Sequence, residues 1–174
     1  MLRIDFLVLE WLHPYRNSFL DLFFRTITWA GSLYLLFPAT LLLLILLQGK
    51  GRQREMQMLA VAMGSAVLVV HAAKMFIKRP RPEIHPGLIP MPVDWSFPSA
   101  HAAQSATFCL CVALIAKRNF PVPWAWLTVL LAAALTAGVS MSRVYLQVHY
   151  PTDVLAGLVL GIVLVAAADR LSKS

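Results

Sequence analysis

Residues 27–48 read ITWAGSLYLLFPATLLLLILLQ, without one charged side chain and ending in the unbroken aliphatic run from Leu41 to Leu47. A helix needs about 20 consecutive, mainly apolar residues to cross a bilayer, so this stretch predicts a membrane span. Further stretches of the same character follow at 58–77, 98–116, 124–141 and 152–168. The expected fold class is all-α: a polytopic transmembrane helix bundle of about five spans, with residues 1–174 as a single integral-membrane domain.

Composition points the same way. Only 13% of the 174 residues are charged and 59% are hydrophobic, with a mean hydropathy of +0.71. A soluble domain carries roughly a quarter charged residues. The net charge of +7 does not indicate nucleic acid, because the basic residues fall in short loops and three polar clusters, not on one soluble face. Cys109 and Cys111, two apart in an apolar stretch, read as buried small residues rather than as a disulfide or a metal site.

Residues 1–25 are amphipathic, with Asp5, Glu10, Arg16, Asp21 and Arg25 interrupting the apolar pattern and His13-Pro14 dividing it. They predict two short interfacial helices; one further span is the alternative. Acidic residues this close to the start argue against a cleavable leader. Lys50, Arg52 and Arg54 in one turn, Lys117 and Arg118 in another, and Arg170 and Lys173 in the tail would share a side with five spans. The positive-inside rule makes that side cytoplasmic. The proline-rich 79–97 segment is then an ordered extracytoplasmic loop, where Lys78, Arg79 and Arg81 run against the charge rule and require another reason, such as an active site.

Three polar clusters stand out, and ionisable groups at membrane depth are seldom kept without a task. Lys74 precedes Arg81-Pro82, and both long side chains can snorkel to one interfacial point. Guanidinium and ammonium suit a phosphate there, although lipid-headgroup contact alone is the plainer reading. Next comes Pro98-Ser99-Ala100-His101. With Pro98 in a helical first turn, the N–H groups of Ser99, Ala100 and His101 would face outward as an anion site. The plainer reading makes Ser99 a helix cap. Last, Ser142-Arg143 is followed by His149 and by Asp153 four residues on. That spacing shares a helical face, so the carboxylate can fix the imidazole tautomer and leave the other nitrogen as a nucleophile. Together these groups form a kit for gripping a phosphate and cutting it.

The pattern Lys-x6-Arg-Pro (Lys74, Arg81, Pro82), Pro-Ser-x-His (Pro98, Ser99, His101) and Ser-Arg-x5-His-x3-Asp (Ser142, Arg143, His149, Asp153) resembles the type 2 phosphatidic acid phosphatase superfamily. Three ordered motifs with intact spacing are far more specific than one. The resemblance implies a lipid phosphatase in which His149 forms a phosphohistidine, oriented by Asp153, while His101 protonates the leaving oxygen and then activates water. It implies that Lys74, Arg81, Ser99, Ala100 and Arg143 hold the phosphate. The chain departs from the family at Ala100, where Gly is usual; Ala is acceptable if that position is helical.

No cofactor is expected. The sequence has no HExxH motif, no Cys/His ligand set and no paired carboxylates near the histidines, so metal-independent hydrolysis is expected. Glu83 and Asp94 are single loop carboxylates. His71 reads as packed or proton-sharing, His13 and His85 as interfacial, Trp95 and Phe97 as boundary residues, and Trp124 and Trp126 as anchors of the opposite end. The expected partners are the bilayer and a lipid phosphate: undecaprenyl diphosphate, phosphatidylglycerophosphate, phosphatidate or a lipid A phosphate. No obligate protein partner is indicated. Small size and short loops resemble bacterial members, which implies a bacterial inner membrane with the site outside. A phosphotransferase with a hydroxyl acceptor is the alternative chemistry, and a non-catalytic membrane protein the alternative class.

Overall fold

The computed structural model describes residues 3–173, all helix and loop. Two short N-terminal helices, α1 (Arg3–Leu12) and α2 (Ser18–Ile27), precede five long ones. These are α3 (Leu33–Gly49), α4 (Gln53–Ile77), α5 (Ala100–Asn119), α6 (Val122–Tyr145) and α7 (Pro151–Leu171). Helices α4 to α7 are each long and apolar enough to cross a membrane. Their positions agree with the stretches read from sequence.

The first span differs. It is not a straight helix from residue 27 but a broken one, in which Ser18–Gly31 meets Leu33–Gly49 at 44°. The break falls where Ser32 turns extended and caps α3, its Oγ accepting from Tyr34 N at 3.1 Å. Gly31 has no room for a side chain, since a Cβ would stand 2.4 Å from Val139 Cγ1 and 3.2 Å from the His101 carbonyl oxygen. The missing Cβ lets the 3-10 turn Thr28–Gly31 press against α5 and α6. Helix α2, from the expected interfacial segment, and α3 are together long and apolar enough to count as one bent span.

Helix α5 is the axis of the bundle and packs on α4, α6 and α7. Its contact with α7 is a seam of small residues: a Cβ on Gly157 would lie 2.6 Å from Ser99 O, and one on Gly161 2.8 Å from Ala103 O. Small residues let two backbones approach, which is how helices associate where lipid removes the hydrophobic incentive. Cys109 and Cys111 are buried and free. Below the polar end, Met58, Leu59, Ala62, Cys111, Ile115 and Val165 close the core.

The breaks at the other end follow from local chemistry. Helix α4 stops because Lys78 adopts a left-handed conformation (φ 48°), its N–H returning to Lys74 O at 3.1 Å, and Pro80 cannot continue a helix. Helix α6 ends through Gln147 at φ 55°. The 78–99 loop and the 146–150 connection meet there.

Candidate active site

The site is built around Asp153 in the first turn of α7, where the helix dipole favours a carboxylate. Asp153 is fully buried. Its Oδ2 accepts from Ser96 Oγ at 2.5 Å and from Tyr150 N at 3.0 Å, and lies 3.6 Å from His149 Nδ1. Its Oδ1 meets Arg79 Nη1 at 2.5 Å. His149 and Asp153 do not share a helix, as their spacing suggests. His149 lies in the connection before Pro151, and the extended Tyr150 caps α7, its N–H donating to the Asp153 carboxylate.

The tautomer of His149 follows from its neighbours. Arg81 Nη1 stands 3.2 Å from His149 Nε2, and a guanidinium can only donate. Nε2 therefore accepts, and the proton sits on Nδ1, facing Asp153 and Ser96 Oγ at 3.4 Å. Burial pushes the imidazole down to about 3; Asp153 opposes this, and the charges of Arg81, Arg143 and Lys74 add to it. This favours a neutral ring with its Nε2 lone pair turned toward Arg81. Val148 N and His149 N both bond to Arg143 O at 3.2 Å, which hangs the connection on the end of α6.

The predicted cations gather at the same end. Lys74 is buried, with Nζ on Trp95 O and 3.1 Å from Asp94 Oδ2. Arg81 bonds to Asp94 O at 2.8 Å, Asp94 Oδ1 at 2.5 Å and Val148 O at 2.5 Å. Asp94, half exposed on the loop, thus bridges both cations. Burial works to raise its carboxyl, but the Arg81 hydrogen bond and the Lys74 charge hold it below the usual range. Arg143 donates from Nη1 to Thr28 Oγ1 at 2.6 Å, and its buried Nε has no partner among the described residues.

At the start of α5 the expected anion site is shifted by one residue. Pro98 lies before the helix, not in its first turn, because Ser99 occupies the cap position. The Ser99 N–H is not free, since it donates to Asp153 O at 3.0 Å. Its hydroxyl makes no cap bond, and its Oγ is buried with no partner among the described residues. The N–H groups without acceptors among the described residues belong to Ala100, His101 and Ala102, as a helix start requires. Ala100 is the first helical residue and carries no positive φ, so Ala is unstrained there. His101 lies within electrostatic reach of Arg143, His149 and Arg81.

His71 is exposed on α4, not packed. His13 stacks on His85 at 3.7 Å, and His85 Nε2 lies 3.2 Å from Glu10 Oε1. Trp95, Trp124 and Trp126 are exposed, as boundary residues should be. Sequence reading missed Ser96, Thr28 and the role of Arg79, and gave no role to Asp5, which is fully buried. The one available signal was that Arg79 runs against the charge rule. Among the described residues, no group of three or more His, Cys, Asp or Glu side chains is placed to hold a metal ion.

Fold and site together define an integral membrane protein: a helix bundle with a buried, histidine-centred cationic site at one end. The chain belongs to the PAP2 superfamily, whose model it matches over residues 56–173. It is similar to an undecaprenyl-diphosphatase of Sulfolobus acidocaldarius, with 33% identity over 135 residues, 75% of this chain and 60% of that protein. Among solved structures, a transmembrane PAP2-type phosphatidylglycerolphosphate phosphatase of Bacillus subtilis superposes with TM-score 0.80 at 26% identity, covering 97% of this chain and 84% of that one. LpxE of Aquifex aeolicus gives TM-score 0.77 at 26% identity, covering 98% and 99%. The chain spans 50% to 60% of the length of the curated relatives it matches.

Proposed function

We propose that this protein hydrolyses a phosphate or diphosphate ester of a membrane lipid through a phosphohistidine on His149. The observation that carries this reading is the setting of the His149 ring: Nδ1 lies 3.6 Å from Asp153 Oδ2, and Nε2 lies 3.2 Å from an Arg81 nitrogen that can only donate. Nε2 attacks phosphorus in line as the bond to the lipid oxygen breaks, and His101 gives that oxygen its proton. Water then attacks the phosphohistidine, returning its proton to His101 and releasing Nε2. Arg81, Arg143, Lys74 and the free N–H groups of α5 hold the equatorial oxygens. The bridging carboxylate of Asp94 yields its place on Lys74 and Arg81 to the phosphate.

A lipid substrate is supported by the position of the site at the end of a membrane bundle. The names of relatives suggest polyprenyl diphosphates and phosphatidylglycerophosphate as first choices, followed by phosphatidate and lipid A phosphates. Arg81, Arg143 and Lys74 can neutralise the phosphate themselves, so hydrolysis is expected to run without metal. Lys50, Arg52, Lys117, Arg118 and Arg170 crowd the opposite end, which supports a plasma membrane location with the site on the extracytoplasmic side.

The test is phosphate release by the purified full chain in detergent with EDTA, over that panel of lipids, beside a His149→Ala control. Release that the control abolishes supports the reading. Release that survives in the control, or that requires added magnesium, sinks the phosphohistidine route. Release only when an alcohol is supplied would make the protein a phosphotransferase.

A further inference from the structure

Asp5 of α1 is fully buried and lies far outside the residues that match the family model. A buried carboxylate is costly unless fully paired, and this one is. Oδ1 accepts from Thr152 N at 3.0 Å. Oδ2 accepts from Thr152 Oγ1 at 2.8 Å and from Arg79 Nη2 at 2.7 Å. The other end of the Arg79 fork, Nη1, holds Asp153 Oδ1 at 2.5 Å and Thr152 Oγ1 at 2.8 Å. The guanidinium lies over the Tyr150 ring, 4.2 Å from its centroid. One arginine is thus divided between two carboxylates, one on α1 and one beside His149.

We infer that Asp5 is a positioning residue for the reaction: by sharing Arg79 it keeps Asp153 turned toward His149. The inference rests on the roles given to His149 and Asp153 above. The physical reason is competition. A guanidinium with one carboxylate prefers to engage both of its oxygens. Arg79 held by Asp5 can offer Asp153 only Nη1, on Oδ1, so Oδ2 stays with Ser96, Tyr150 N and the Nδ1 side of His149. Without the Asp5 charge, both guanidinium nitrogens are available to Asp153. The carboxylate then rotates toward Arg79 and loosens its hold on the imidazole. Helix α1 is in this sense part of the site.

The test compares wild type, Asp5→Asn and the double variant Asp5→Asn/Arg79→Gln. It follows kcat and KM for lipid hydrolysis, and the ring ¹⁵N signals of His149 assigned by their loss in His149→Ala. Asp5→Asn is expected to lower kcat about tenfold, with KM within about twofold, and to shift the His149 ring signals. Removing Arg79 as well is expected to restore part of the lost kcat, because the competitor is gone. A structural role alone would make the double variant worse than the single, and that result overturns the inference. So does an Asp5→Asn protein with wild-type kcat and unchanged ring signals. If wild type hydrolyses no lipid, the proposed function fails separately. The ring signals then decide alone: shifted in Asp5→Asn they support the positioning role, unchanged they overturn it.

Discussion

Helix α7 carries an aspartate near each end, and the two have opposite surroundings. Asp169, in the last turn, faces three flexible cations: Arg118 at 2.5 Å, Arg54 at 3.1 Å and Lys173 at 3.6 Å. Asp153, in the first turn, is given one arginine and otherwise a hydroxyl, a backbone N–H and an imidazole. The dipole explains part of this. A carboxylate at a helix C-terminus is unfavourable and needs cations, whereas at the N-terminus it is already stabilised. Exposure explains the rest. The Arg54 and Lys173 side chains are 41% and 57% exposed, so their pairing is screened by solvent. Around Asp153 the directional donors fix an orientation as well as a charge. One end of α7 is tied down and the other is aimed.

The largest expected effect lies at the aimed end. His149→Ala should lower lipid phosphate release by about 1,000-fold or more, measured as initial rate in detergent. Asp153→Asn should follow, with a loss of about 100-fold and a folded protein by circular dichroism. If Asp153→Asn costs no more activity than Asp169→Asn, the distinction between the two ends collapses.

A third expectation concerns protonation. Because the His149 pKa is depressed to about 3, its ring should remain neutral at pH 6, with the proton on Nδ1 by ¹⁵N spectroscopy. Between the ordinary value of 6.5 and about 3 the unfolded chain takes up a proton that the folded state refuses, so this group costs stability as pH falls through that window. Above 6.5 it costs none. A ring that titrates near 6.5 in the intact protein would refute this.

Smaller effects sharpen the picture. Asp94→Asn should tighten inhibition by inorganic phosphate about threefold, since more of the protein then has Lys74 and Arg81 unoccupied. Its carboxyl is held below 3.8, so in wild type the competition should persist from pH 5 to 8. The smallest effect belongs to the tied end. Arg54→Ala should leave turnover unchanged and shift stability by about 1 kcal/mol or less, read from thermal unfolding in detergent.

Much of this was legible in the sequence because it depends on local pattern. Span positions follow from runs of apolar residues, and Lys74, Arg81, His101, Arg143 and His149 are marked by fixed steps along the chain. What could not be read depends on distance in sequence. Ser96 is 57 residues from Asp153 and Arg79 is 74, and each lies in or beside irregular loop that has no period. The place of Asp5 is hidden in the same way, because its partner lies 74 residues on. The shift at Ser99 has the same origin: a backbone bond to Asp153 O consumed an N–H that helix rules alone leave free.

The glycine seam between α5 and α7 has a consequence for the membrane around it. Bilayers differ in thickness, and helices answer a mismatch by tilting. Backbones in contact at Gly157 and Gly161, joined at the top by the Ser99–Asp153 bond, must lean as one mast. His101 rides on one half of that mast and His149 is stepped at the head of the other. A change of lipid will therefore carry the two histidines together, and their separation should stay constant from thin bilayers to thick ones.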